Sequence, residues 1–200
     1  VKNSNFFNCT TIHSGGAISV SSSNCTVSDS NFANCNSTTW GGAIGWSGNN
    51  GTLTGCTFEK CYATSYGAVD WTGTNATISD SNFTDCFALS GDGGAFGISG
   101  TYKTLTISNS NFFNCFAGND GGAIFWKGGN GNVYTMKNSN FFNCSASRNG
   151  GAIIGPVNVY DSTFDECSAG QSGGAMNGGS ATNCNFTNNK AKWGGAKYSS

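Results

Sequence analysis

Residues Asn111–Trp126 read Asn-Phe-Phe-Asn-Cys-Phe-Ala-Gly-Asn-Asp-Gly-Gly-Ala-Ile-Phe-Trp. The stretch has two halves. In the first, a Phe is followed three residues later by a Cys. The second is Gly-Gly-Ala followed by a hydrophobe. Working outward, the same pair recurs in both directions. Its anchors are Phe6, Phe32, Phe58, Phe83, Phe112, Phe141, Phe164 and Phe186, spaced by 26, 26, 25, 29, 29, 23 and 22 residues. The alanines of the second half are Ala17, Ala43, Ala68, Ala95, Ala123, Ala152, Ala175 and Ala196, each 10 to 12 residues after its Phe. Eight copies at this period mark a repeat architecture.

The elements within a copy follow from periodicity. A helical repeat needs long runs of good helix formers at a 3.6-residue period. Here short β-branched or aromatic runs alternate with Gly, Asn and Ser. After each Ala stands an apolar column, Ile18, Ile44, Val69, Phe96, Ile124, Ile153 and Met176. Two residues later come Val20, Trp46, Trp71, Ile98 and Trp126, so the period is two and both columns face inward. A third apolar column, Val27, Leu53, Ile78, Ile107, Met136, Val159 and Ala181, precedes each Phe by five. The expectation is three short strands per copy. One copy cannot bury such edges alone, but stacked copies can. The reading is an all-β, right-handed parallel β-helix of about eight rungs. Residues 1–200 form a single repeat segment, expected to belong to a longer chain. The insertions Gly100–Lys103 and Lys127–Asn132 are expected to be loops on one edge.

Composition agrees and excludes alternatives. The chain has 31 Gly, 27 Asn and 10 Cys in 200 residues, and 10% charged side chains. Average domains carry about 25% charged residues. A net charge of −1 offers no basic field for nucleic acid. No apolar run is long enough to span a membrane. The Gly has no three-residue period, which excludes collagen.

The columns make specific packing statements. The Phe column is followed by Cys9, Cys35, Cys61, Cys86, Cys115, Cys144 and Cys167, with Asn189 in the eighth copy. Two residues before each Phe, Ser4, Ser30, Ser81, Ser110, Ser139 and Ser162 exchange with Cys56 and Cys184, which reads as a small inward slot. The Phe and Cys columns are the expected core ladder. Rungs about 4.8 Å apart put stacked Cys Cα atoms within disulfide range, but their Cβ atoms are wider apart than bridges prefer. Two readings stay open: a buried thiol ladder, which is favoured, and vertical disulfides.

At this point the residues carry a resemblance. Phe186-Thr187-Asn188-Asn189 with Gly194-Gly195-Ala196 is similar to the paired Phe-x-x-Asn and Gly-Gly-Ala-Ile motif of polymorphic outer-membrane autotransporter adhesins. The Cys-bearing copies, as in Gly42–Gly48 and Gly51–Phe58, resemble the adhesin-like surface proteins of methanogenic archaea. The resemblance implies an extracellular, adhesive, right-handed β-helix. It carries over no binding residue.

Candidate chemistry is sparse. His13 is the sole histidine and lies in a turn. No catalytic residue is assigned and no cofactor is expected. Asp92 and Asp120 occupy one phase in consecutive copies, so they could share a cation, although Asp before Gly-Gly is ordinary turn chemistry. Trp40, Tyr66 and Trp193 lie in the turn leading to the alanine and are candidate sugar platforms. Phe7, Phe113 and Phe142 follow the core Phe and should face outward as a partner surface. Asn24, Asn50 and Asn75 begin sequons in the variable segment and are the N-glycosylation candidates.

The functional expectation is a non-enzymatic, extracellular or cell-surface adhesin-like rod. Its partners would be a host or neighbouring cell surface, a glycan or a protein. End-to-end or lateral self-association is also expected to be open to it. The alternatives are a self-assembling structural filament and a carbohydrate-active enzyme, since polysaccharide lyases and glycosidases also use parallel β-helices.

Overall fold

In the computed structural model, which describes residues 1–99, 104–127 and 133–199, every paired strand lies parallel to its counterpart one copy away. The result is an all-β, right-handed parallel solenoid of about seven turns. The insertion Gly100–Lys103, and all of the insertion Lys127–Asn132 beyond Lys127, fall outside the described residues.

Each turn contributes to four sheets rather than three. The phenylalanine sheet has eight strands, from Asn5–Phe7 to Asn185–Thr187. A second sheet of seven two-residue strands runs from Thr10–Thr11 to Ser168–Ala169. The third, after the Gly-Gly-Ala turn, has eight strands from Ile18–Val20 to Lys197–Tyr198. The fourth has seven, from Thr26–Ser28 to Ser180–Thr182. The second sheet escapes notice in the sequence because two residues cannot display a period. Its Ala63, Ala88, Ala117 and Ala146 are nonetheless buried.

Register is strict. Phe6 pairs with Phe32, Phe83 with Phe112, and Phe164 with Phe186. The rings of the column stack at 4.7–4.9 Å, within 6° of parallel. Trp46, Trp71 and Trp126 are buried inside the third sheet, as their phase requires. Trp46 and Trp71 stack at 4.2 Å. Gly51 leaves room for Trp46, since a Cβ there would press on the indole.

The corners account for the asparagines. Three residues before each Phe, Asn3, Asp29, Gly55, Asp80, Asn109, Asn138, Asp161 and Asn183 adopt positive φ. Two residues after it, Asn8, Asn34, Lys60, Asp85, Asn114, Asn143, Glu166 and Asn188 do the same. Asn and Asp tolerate this left-handed region better than other side-chain-bearing residues. Their amides then link rungs, as Asn114 Nδ2 donates to Asp85 Oδ1 at 3.0 Å and Asn143 Nδ2 to Asn114 Oδ1 at 3.0 Å.

Just inside each corner a small polar group faces the core. Ser81, Ser110 and Ser139 are fully buried. Ser110 Oγ donates to Ser108 O at 2.8 Å and accepts the Ser81 N–H at 3.3 Å. The thiols behave similarly. Cys61 Sγ reaches Phe32 O at 3.4 Å, and Cys144 Sγ reaches Phe112 O at 3.4 Å. All ten cysteines are present as thiols. Asn189 takes over the same task, its Nδ2 donating to Phe164 O at 3.0 Å. Cys and Asn therefore exchange at this phase because both can donate to the carbonyl of the preceding rung.

Candidate functional site

Asp70 lies at the middle of strand Val69–Trp71 in the third sheet. Val69 and Trp71 point into the core, so Asp70 points out, yet only 7% of it is exposed. Its neighbours in register are Gly45 and Gly97. Neither glycine has a side chain to occupy the outer face, and the turns close over the space instead. Ser14 Oγ approaches Gly45 and donates to Asp70 Oδ2 at 3.4 Å. On the other side the Tyr66 ring lies over Gly97, where any Cβ would strike it.

Tyr66 is itself unusual. It has a φ of 56° at the phase where Gly15, Gly41, Gly93, Gly121, Gly150, Gly173 and Gly194 carry positive φ in the other copies. For a bulky residue this conformation is costly, by about 1–2 kcal/mol. Backbone hydrogen bonds hold it: Tyr66 N donates to Asp92 O at 2.8 Å, and Gly41 N to Tyr66 O at 3.0 Å. Strained residues cluster at functional sites. Burial, then the negative fields of Asp70 and Asp92, raise the phenol pKa to about 12, so it remains a hydrogen-bond donor at neutral pH.

Trp40, on the preceding rung, pairs with Ser65 and leaves its side chain 52% exposed. Trp40, Tyr66, Asp70, Thr72 and Ser99 together line a cleft of about 290 Å³. A smaller hollow of about 130 Å³ lies on the Ser14 and Gly45 side of Asp70. The cleft thus combines two aromatic side chains with a carboxylate, a phenol and two hydroxyls. That mixture suits a small ligand with both an apolar face and hydroxyls.

A larger hollow of about 580 Å³ is lined by Asn143, Glu166, Ser168, Asn188, Asn189 and Lys190. Its amides already serve the solenoid: Asn143 donates to Asn114, Asn188 to Asp165 and Asn189 to Phe164. Volume alone therefore does not make it the better site.

The other expected residues are dispersed. Trp193 is 53% exposed, with Lys192 Nζ 4.8 Å from its ring centroid, and lies six copies from Trp40. Phe113 and Phe142 are exposed neighbours at 6.4 Å on the phenylalanine sheet, a different face. Phe7 is exposed at the first rung. Asp92 and Asp120 are adjacent, but their oxygens serve the next rung: Asp92 Oδ1 accepts from Asp120 N at 3.2 Å and Asn119 Nδ2 at 2.7 Å. Asp120 Oδ1 accepts from Asn149 N at 2.9 Å. Burial raises the Asp92 pKa. Among the described residues no group of three or more His, Cys, Asp or Glu could hold a metal. Asn24, Asn50 and Asn75 are exposed, and the amides of Asn50 and Asn75 donate down their own ladder at 3.2 and 3.0 Å.

Asp70 has no place among the residues expected from sequence, where it fell in the variable column. Two signals mark it: a Tyr where the repeat demands Gly, and Gly on both register neighbours.

Among the described residues no helix is long and apolar enough to cross a membrane. Residues 1–136 match the family model described as the right handed beta helix region. Among curated proteins and among solved structures, nothing matches the chain.

Proposed function

The chain belongs to the right-handed β-helix family, and from that premise we propose that it is a non-enzymatic, extracellular adhesin-like rod. Its part is to hold outward side chains at fixed spacing against a cell surface, a glycan or a protein partner. The observation that supports this reading is the division of labour among side chains. Corner polar groups, including Asp92 and Asp120, bond to the next rung, whereas Trp40, Trp193, Phe7, Phe113 and Phe142 face solvent. Exposed aromatics on a rigid scaffold are what a contact surface needs. The β-helix family contains both enzymes and non-enzymes, so the test must address both. A glycan array and a cell-attachment assay should register binding, while a depolymerisation screen over neutral and acidic polysaccharides should release no new chain ends. Release of unsaturated or reducing ends would overturn the proposal in favour of a carbohydrate-active enzyme.

A further inference from the structure

The adhesive reading leaves the ligand open, and the larger hollow narrows it; the step rests on that reading. We infer that the hollow at Glu166 is a subsite for a non-acetylated amino sugar, which it holds by the ammonium group.

The hollow opens where a corner ladder is cut. Two residues after the core Phe, Asn114 Nδ2 donates to Asp85 Oδ1 and Asn143 Nδ2 to Asn114 Oδ1, each at 3.0 Å. Glu166 takes the next rung at this phase. Its side chain has no amide, so it passes no hydrogen bond to Asn143 Oδ1. Asn188, one rung further, turns its Nδ2 to Asp165 Oδ1 at 3.3 Å. Asn189 is engaged on both sides, its Nδ2 donating to Phe164 O at 3.0 Å and its Oδ1 accepting the Cys167 N–H at 2.9 Å. Three acceptors are left with no donor from the protein: Asn143 Oδ1, Asn188 Oδ1 and the Glu166 carboxyl group. All three residues line the hollow of about 580 Å³.

The ligand follows from that set. A primary ammonium brings three donors and a positive charge in one group, and its bond to a carboxylate is of the stronger class. Lys190 lines the same hollow but forms no ion pair with Glu166; the ion pairs of the described residues are Lys2 with Asp29 and Lys60 with Glu59. Among the described residues the lining carries no aromatic or aliphatic side chain. Around the ammonium the ligand therefore needs hydroxyls, which can donate to an amide oxygen and accept from Ser168 or Lys190. An amino sugar combines both features. N-acetylation removes the charge and leaves a single N–H, and glucose lacks the ammonium altogether.

The test is calorimetry in mildly acidic buffer, where the sugar amine is protonated. The probes are the glucosamine dimer of chitosan, its N-acetylated counterpart from chitin, cellobiose and ethanolamine. The glucosamine dimer should bind, and the other three should each bind at least about tenfold more weakly, a difference of about 1.4 kcal/mol. Glu166→Asn restores a residue that the repeat uses at this corner. Asn tolerates the φ of 56° better than Glu, and its amide can donate to Asn143 Oδ1. The variant should melt no lower than the parent, yet bind the dimer at least about tenfold more weakly. Should it melt lower, Glu166→Gln, which keeps the length of the side chain, carries the same test. Glu59→Gln, at an exposed carboxylate already paired with Lys60, should leave binding unchanged. Equal binding of any of the other three probes overturns the inference, as does binding that survives Glu166→Asn or an equal loss in Glu59→Gln. If the dimer does not bind while the glycan array still scores elsewhere, the subsite fails and the adhesive reading stands. If a polysaccharide is cleaved, the adhesive reading itself fails.

Discussion

At the residue scale, small polar side chains do most of the specifying work. Ser110 is fully buried, and its hydroxyl both donates within its own rung and accepts the Ser81 N–H. Ser110→Ala leaves that N–H buried without its acceptor, which costs about 1–3 kcal/mol. The expected result is a lower denaturant midpoint at unchanged slope. Ser110→Cys should cost less, because Cys56 and Cys184 stand at this phase and donate to Thr54 O and Thr182 O at 3.3 Å. If Ala and Cys destabilise equally, the hydroxyl ladder is not what holds the corner. The serine column was legible in the sequence as an inward slot. Its hydrogen-bonding role was not, because the N–H that each hydroxyl accepts lies on a rung 23 to 29 residues away.

At the element scale, the cysteine column is a packing ladder in which each thiol caps a carbonyl. Burial raises the pKa of Cys56, Cys115 and Cys144, and the neighbouring Cys144 thiol together with burial raises that of Cys167. Two measurements follow. Native protein at pH 8 should be alkylated first at the partly exposed Cys9, Cys25 and Cys184, since thiolate character and access set the rate. Denatured, unreduced protein should then label at all ten; a shortfall means that disulfides have formed. The pH dependence has a definite sign. A thiol whose pKa rises on folding keeps its proton in the native state while the unfolded chain loses it. Its contribution is whole below the unfolded value of about 8.5 and is lost as pH rises beyond it. The melting temperature should therefore fall from pH 8 to pH 10, and less steeply in Cys115→Ala. A flat profile over that range would show that the column does not titrate with unfolding.

At the scale of the whole molecule, the solenoid is a stack in which each rung packs chiefly on its neighbours, with a few contacts such as Ser14 to Asp70 reaching across a rung. Gly122 shows how closely those rungs approach, for a Cβ there would land on the Gly151 carbonyl oxygen. Gly122→Ala should abolish hydrogen-exchange protection in the rungs on either side, while distant rungs keep theirs. A uniform loss along the rod would mean that the molecule unfolds as one unit instead.

The sequence alone determined the repeat, its phase and the inward columns, because in-register stacking converts sequence period directly into vertical contact. Phe32 over Phe58 and Trp46 over Trp71 were readable as soon as the copies were aligned. It also located Trp40 and Tyr66 in an outward turn. Only the tertiary structure decided that the second sheet exists, since Phe87–Ala88 and its counterparts are too short to show alternation. Only it showed why Asn surrounds each Phe, because positive φ is a property of a bend rather than of a pattern. It also brought Asp70, Tyr66 and Trp40 to one cleft while leaving Trp193 at the far end of the rod. That convergence depends on how the turns of adjacent rungs lean over the outer face. Local hydrophobic periodicity fixes which side of a strand a residue occupies, but not which turn reaches across to cover it.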